Sequence, residues 1–248
     1  MPLRPATACL LLLAACAAEA PEANAPAEPV VLAADTAGVA KVDHIIVAID
    51  SLERGIALMA EATGVTPTFG GVHPGRGTQN ALMALGPRTY LELIAPNPAD
   101  PERGAERVTE YAGFRALTPS GWAAQSMDAQ AMHETFLARG LADNGVAPGS
   151  RVTTAGDTLR WATIAPWPED VDWSVLPFFI EWVAPTPHPA TTTPTGCTLA
   201  ALQVMTPDAD TVRALLRTAE LAVEVSRADS SALRFELDCP TGRVTIGE

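Results

Sequence analysis

Lysine is almost missing from this 248-residue chain: Lys41 stands alone against fifteen arginines, and the acids leave a formal net charge of −13. Such a surface does not neutralise phosphates, which argues against nucleic acid as a partner and against electrostatic adhesion to anionic lipid. No serine nucleophile elbow, adjacent Cys–His pair or dinucleotide fingerprint occurs, which removes most hydrolase and dehydrogenase chemistries. The glycine-rich stretch from Gly70 to Asn80 reads as a loop. It lacks the Lys-Ser/Thr ending and following helix of a phosphate loop. Beyond residue 15 no run is apolar enough to cross a membrane.

Residues 1–15 read as an export signal, with Arg4 as a short positive start and Cys9 to Ala15 as an apolar core too short to span a bilayer. Leu13-Ala14-Ala15-Cys16 resembles the lipobox of bacterial lipoproteins. That resemblance implies cleavage before Cys16, lipidation of Cys16 and, with Ala17 next, a periplasmic protein held to the outer membrane by lipid alone. An ordinary secretory signal cut nearby is the alternative. Residues 16–40 are rich in Ala, Pro and Glu without aromatics, and read as a disordered tether. Of the four cysteines, Cys197 and Cys239 remain in the folded part. They form a disulfide if the compartment is oxidising, or else stay as two buried thiols.

The folded part repeats one order of elements. A strand over 42–49 leads to a helix opened by Asp50, with Glu53 completing a capping box, and Gly64 is placed to end it. Strands over 78–85 and 89–95 follow. A second copy starts at Gly121, with Asp128 opening a helix to about Leu141 and strands over 159–165 and 177–184. A third starts at Thr198, with Asp208 opening a helix that carries Val212, Leu215, Leu216 and Ala219 on one face, then strands near 221–227, 231–238 and 243–247. The landmark aspartates lie roughly eighty residues apart, a repeat of whole β-α-β-β-β modules rather than a solenoid.

This order, with Val42-Asp43-His44, the Gly70–Asn80 stretch, Leu91-Glu92-Leu93 and Pro177-Phe178-Phe179-Ile180-Glu181-Trp182, resembles the glyoxalase-like branch of the vicinal oxygen chelate superfamily. The resemblance implies an α+β fold. Its first two modules, residues 41–190, would pair into a half-open barrel around a cavity, with a third module over 191–248. It also implies a divalent metal, Zn, Mn, Fe or Ni, between side chains of the first and last strand of each module. Carried over, those ligands are His44, Glu92 and Glu181. The fourth position holds Trp122, which cannot ligate.

One imidazole and two carboxylates suit such ions, and a released carboxylate, Glu92 or Glu181, would move the proton. Tyr90 shares a strand face with Glu92, and Phe179 with Glu181. With His73, Asn80 and Trp122 they are the candidate ligand-binding residues. Five of these have a plainer role: His44 a core histidine, Glu181 a partner for Arg160, Trp122 core packing, His73 and Asn80 turn chemistry. Glu92 has no basic neighbour in sequence, which favours the functional role. His188 sits in a Pro/Thr-rich connector over residues 185–196 and reads as linker, with a cap on the cavity as the alternative. The implied function is an exported protein that binds a small organic molecule as a metal-dependent lyase, isomerase or dioxygenase, or that sequesters it without chemistry. An odd third module leaves a sheet for a second copy of the chain, a homodimer.

Overall fold

The computed structural model describes residues 39–247. The expected signal segment, Cys16 and nearly all of the tether lie outside the described residues. Val39, inside the expected tether, is already buried in the core.

Among the described residues, twelve strands form two sheets. The first module comprises β1 (Val42–Ala48), α1 (Leu52–Thr63), β2 (Thr68–His73), β3 (Thr78–Gly86) and β4 (Thr89–Pro96). After α2 (Gly104–Tyr111), the second comprises β5 (Thr118–Gln125), α3 (Ala129–Ala138), β6 (Ala147–Val152), β7 (Thr158–Ile164) and β8 (Phe178–Trp182). Their eight strands run β2-β3-β4-β1-β5-β8-β7-β6. The order is symmetric about the antiparallel β1–β5 seam, since β1 pairs with β4 and β5 with β8 in parallel. The curled sheet nearly closes: Arg151 of β6 donates a hydrogen bond from Nη1 to the Gly70 carbonyl of β2.

Local chemistry explains both ends of α1 and the start of α3. Ser51, not Asp50, caps α1 by accepting from the Arg54 amide, while Asp50 pairs with the Arg54 guanidinium. Gly64 ends the helix at φ 74°, where a side chain would be strained. Asp128 caps α3 as expected, accepting from the Ala131 amide at 2.9 Å. The helix ends at Ala138, short of Leu141. The stretch from Gly70 to Asn80 is a β-hairpin, not a loop: His73 of β2 pairs with Thr78 of β3.

The third module, β9 (Thr198–Thr206), α4 (Ala209–Thr218), β10 (Glu224–Arg227), β11 (Ala232–Cys239) and β12 (Gly242–Ile246), keeps the β-α-β-β-β order. Its pairing differs. The sheet runs β10-β9-β11-β12, so the first strand lies inside the sheet and the last lies at an edge. Leu202, Val204, Phe235 and Leu237 join Ile45, Leu93 and Trp122 in one buried core, each contributing about 1.5–3 kcal/mol by leaving water. The sheet that the odd module was expected to offer a second copy is thus packed within its own chain. Cys197 and Cys239 are bonded. No helix among the described residues is long and apolar enough to cross a membrane.

Candidate functional site: a histidine–carboxylate chain in the barrel cavity

Strand alternation gives the barrel two faces. On β1 and β4, Ile45, Val47, Leu91 and Leu93 enter the core, while His44, Ile46, Tyr90, Glu92 and Ile94 line a cavity of about 440 Å³. That volume suits a small organic molecule. Its far wall is Trp161 and Thr163 of β7 and Phe178, Ile180 and Trp182 of β8.

A series of ionisable groups runs from buried residues behind the wall into the cavity. Asp43 has no exposed surface. It accepts from His44 Nδ1 at 2.8 Å, His188 Nε2 at 3.0 Å and Trp182 Nε1 at 3.1 Å. The His188 Nδ1 accepts from the Ala190 amide, which leaves Nε2 as its donor. Burial alone would raise the Asp43 pKa; the His188 and His44 hydrogen bonds and charges bring it below the ordinary value.

With Nδ1–H of His44 directed at Asp43, Nε2 faces Glu92 Oε2 at 3.7 Å. Glu92 Oε1 accepts from Asn80 Nδ2 at 2.7 Å and lies 3.3 Å from His73 Nε2. Burial opposes its charge, yet His73 first, then His44 and the Asn80 bond, lower its pKa to about 2. Tyr90 stacks on His44 with ring centroids 4.5 Å apart. Burial, reinforced by Asp43 and Glu92, raises the Tyr90 phenol well above its ordinary value, so it is a neutral donor at pH 7.

Of the expected residues, His44, His73, Asn80, Tyr90 and Glu92 share this cavity. Three do not line it. Glu181 accepts from the Ala129 amide at 2.8 Å, stabilising the positive N-terminal end of α3, and pairs neither with Arg160 nor with Glu92. Trp122 is fully buried in the core, donating from Nε1 to the Val175 carbonyl at 3.0 Å; its register partner on β1 is Ile45, whereas His44 faces Ala123. Phe179 packs edge-on against Phe136 of α3. The face assigned to β8 was one residue out of phase: Phe178 and Ile180 line the cavity.

The three-ligand metal set therefore does not assemble. His44 and His73 address opposite oxygens of Glu92. Among the described residues, no group of three or more His, Cys, Asp or Glu side chains is arranged to hold a metal ion.

Two residues outside the expected ligand set, Asp43 and His188, complete the arrangement. Asp43 is the extra residue of a β-bulge, since Val42 pairs with Ala124 but His44 with the adjacent Ala123. Bulges re-aim side chains, and this one turns an acid from the wrong strand phase toward the imidazole. A lone aspartate inside an apolar run was the signal. His188 comes from the connector and bonds the buried Asp43 with its ring edge-on to Tyr90, closer to the capping alternative than to a plain linker.

Two β-α-β-β-β modules joined edge to edge around such a cavity define the vicinal oxygen chelate architecture. The chain belongs to the glyoxalase-like domain family, whose model matches residues 42–220. No curated protein matches the sequence. Among solved structures, a hypothetical protein from Staphylococcus aureus is similar at a TM-score of 0.59 and 18% identity, covering 84% of each chain. Methylmalonyl-CoA epimerase from Mycobacterium tuberculosis gives 0.42 and 21%, covering 61% of this chain and 92% of that one. A glutamine-to-alanine variant of Streptomyces coelicolor methylmalonyl-CoA epimerase, in complex with 2-nitronate-propionyl-CoA, gives 0.42 and 17%, covering 58% of this chain and 98% of that one. These likenesses concern the fold alone.

Proposed function

We propose that the chain is an exported protein that binds a small organic molecule in this cavity and moves a proton on it, as an isomerase or lyase does. The observation that carries the reading is the series His188–Asp43–His44, joined by hydrogen bonds behind the cavity wall, which meets Glu92 and His73 in the cavity itself at 3.7 and 3.3 Å. Asp43 fixes the His44 tautomer so that Nε2 is the basic nitrogen. In the reaction, a substrate C–H beside a carbonyl breaks, the proton goes to His44 Nε2, and the electron pair moves to the carbonyl oxygen as an enolate. The neutral Tyr90 phenol lines the same cavity as a donor for that oxygen. Return of the proton from the imidazolium to another carbon, or to the other face, regenerates the free nitrogen. Export is supported by the Cys197–Cys239 bond, since such bonds persist mainly in oxidising compartments.

Sequestration without chemistry is the second reading, and one observation favours it: a carboxylate at a pKa of about 2 is a weak base at neutral pH. Glu92 then serves as a fixed acceptor. Solvent-deuterium incorporation into a panel of small carbonyl compounds, charged and neutral, separates the two. The wild type is expected to catalyse exchange into at least one compound that it binds. His44→Gln is expected to bind that compound but to exchange it at least 100-fold more slowly. Binding with no exchange by the wild type would leave sequestration, and no binding by any compound would remove both.

A further inference from the structure

Arg151 has only 6% of its surface exposed, yet among the described residues no carboxylate lies within ion-pair distance of it. Its one hydrogen bond is from Nη1 to the Gly70 carbonyl. Burial depresses its pKa, opposed by the more distant negative charge of Glu92. A guanidinium stays charged even so, and a buried charge without a counter-charge is costly.

This arginine lines the same cavity as His44 and Glu92. Its Nε and Nη2 make no hydrogen bond within the described residues, which leaves the half of the fork that receives a planar anion. A second cation, Arg76, lines the cavity and also lacks an ion pair among the described residues, while Arg107 is paired with Glu110. A cavity holding two arginines without an ion-pair partner among the described residues, inside a chain of net charge −13, is not explained by the general surface balance.

We propose that the ligand is a small organic anion whose carboxylate or phosphate sits on Arg151, with Arg76 adding charge at the rim. Its apolar body lies against Trp161 and Phe178, and the reacting end reaches His44. This deepens the reading above and rests on it. It also accounts for the ionised Glu92. An anionic carboxylate beside the reacting end repels a second negative group, so the ligand is oriented with its charge toward Arg151 and away from Glu92.

The test is calorimetric binding and thermal stabilisation with matched pairs: 2-hydroxy and 2-oxo carboxylates, the corresponding neutral amides, and organic phosphates of similar size. At least one anion is expected to bind the wild type on the order of 10–100-fold more tightly than its neutral counterpart, the range of a hydrogen-bonded charge contact. Arg151→Gln is expected to abolish that preference while still binding the neutral compound, which shows that the variant remains folded. Arg151→Lys should retain part of it. Carboxylates against phosphates identify the headgroup.

Neutral compounds binding as well as anions, or an anion preference unchanged in Arg151→Gln, would overturn this inference and leave the cavity reading standing. Failure of every compound, charged or neutral, would remove both.

Discussion

A carboxylate with no exposed surface, such as Asp43, stays ionised only through its donors. Here His44, His188 and Trp182 supply them from three separate segments. Glu92 has the same dependence on His73, His44 and Asn80. Both acids have folded pKa values below their ordinary ones, so between those values the unfolded chain binds more protons than the folded one. Their contribution to stability is complete above the unfolded values, near pH 5, and is lost as pH falls, for Glu92 toward about 2. Glu92→Gln removes one of the two groups. Its unfolding free energy, measured in urea between pH 5 and pH 3, is expected to fall less steeply with acid than that of the wild type. Parallel slopes would show that Glu92 is not held in its charged form.

At the scale of elements, the faces of β1 and β4 were legible because each places one polar residue, His44 or Glu92, among apolar neighbours. The face of β8 was not. Phe178 and Phe179 are both apolar, so alternation gives no sign of which side is the cavity, and the polar Glu181 drew the assignment toward itself. Its carboxylate has a second home that only the fold reveals, the start of α3. The strands β2 and β6, Thr-Phe-Gly-Gly-Val-His and Ala-Pro-Gly-Ser-Arg-Val, hold glycines that weaken a strand pattern.

Those glycines have work in the closed barrel. A Cβ on Gly70 would stand 2.5 Å from Asn80 Oδ1 and 2.9 Å from Leu82 Cγ, closer than packing permits. Gly70→Ala should therefore force β2 from β3, shift Asn80 off Glu92 and loosen the Arg151 closure. The expected destabilisation is about 1–3 kcal/mol, with weakened binding of any cavity ligand. Wild-type urea midpoints and ligand affinity in Gly70→Ala would show the gap already tolerates a methyl group.

Across the whole molecule, the half-barrel and the third module share the main buried core, and the barrel's own second cluster, Leu82, Ala84, Tyr90 and Ala190, is small. The Cys197–Cys239 bond joins the residue before β9 to the end of β11, residues 42 apart in sequence. Closing a loop of that length restricts the unfolded chain by about 4 kcal/mol in the chain-entropy treatment. For a domain of this size that corresponds to a melting temperature roughly 8–16 °C higher. Replacing both cysteines by alanine should lower the melting temperature by that amount. The shared core dictates a second outcome: calorimetry of the variant should still give one transition, because loosening the third module uncovers Ile45, Leu93 and Trp122 of the barrel. Two resolved transitions would mean that the third module folds on a core of its own. The cavity would then owe its shape to the first two modules alone, and a shortened chain ending before β9 should retain ligand binding.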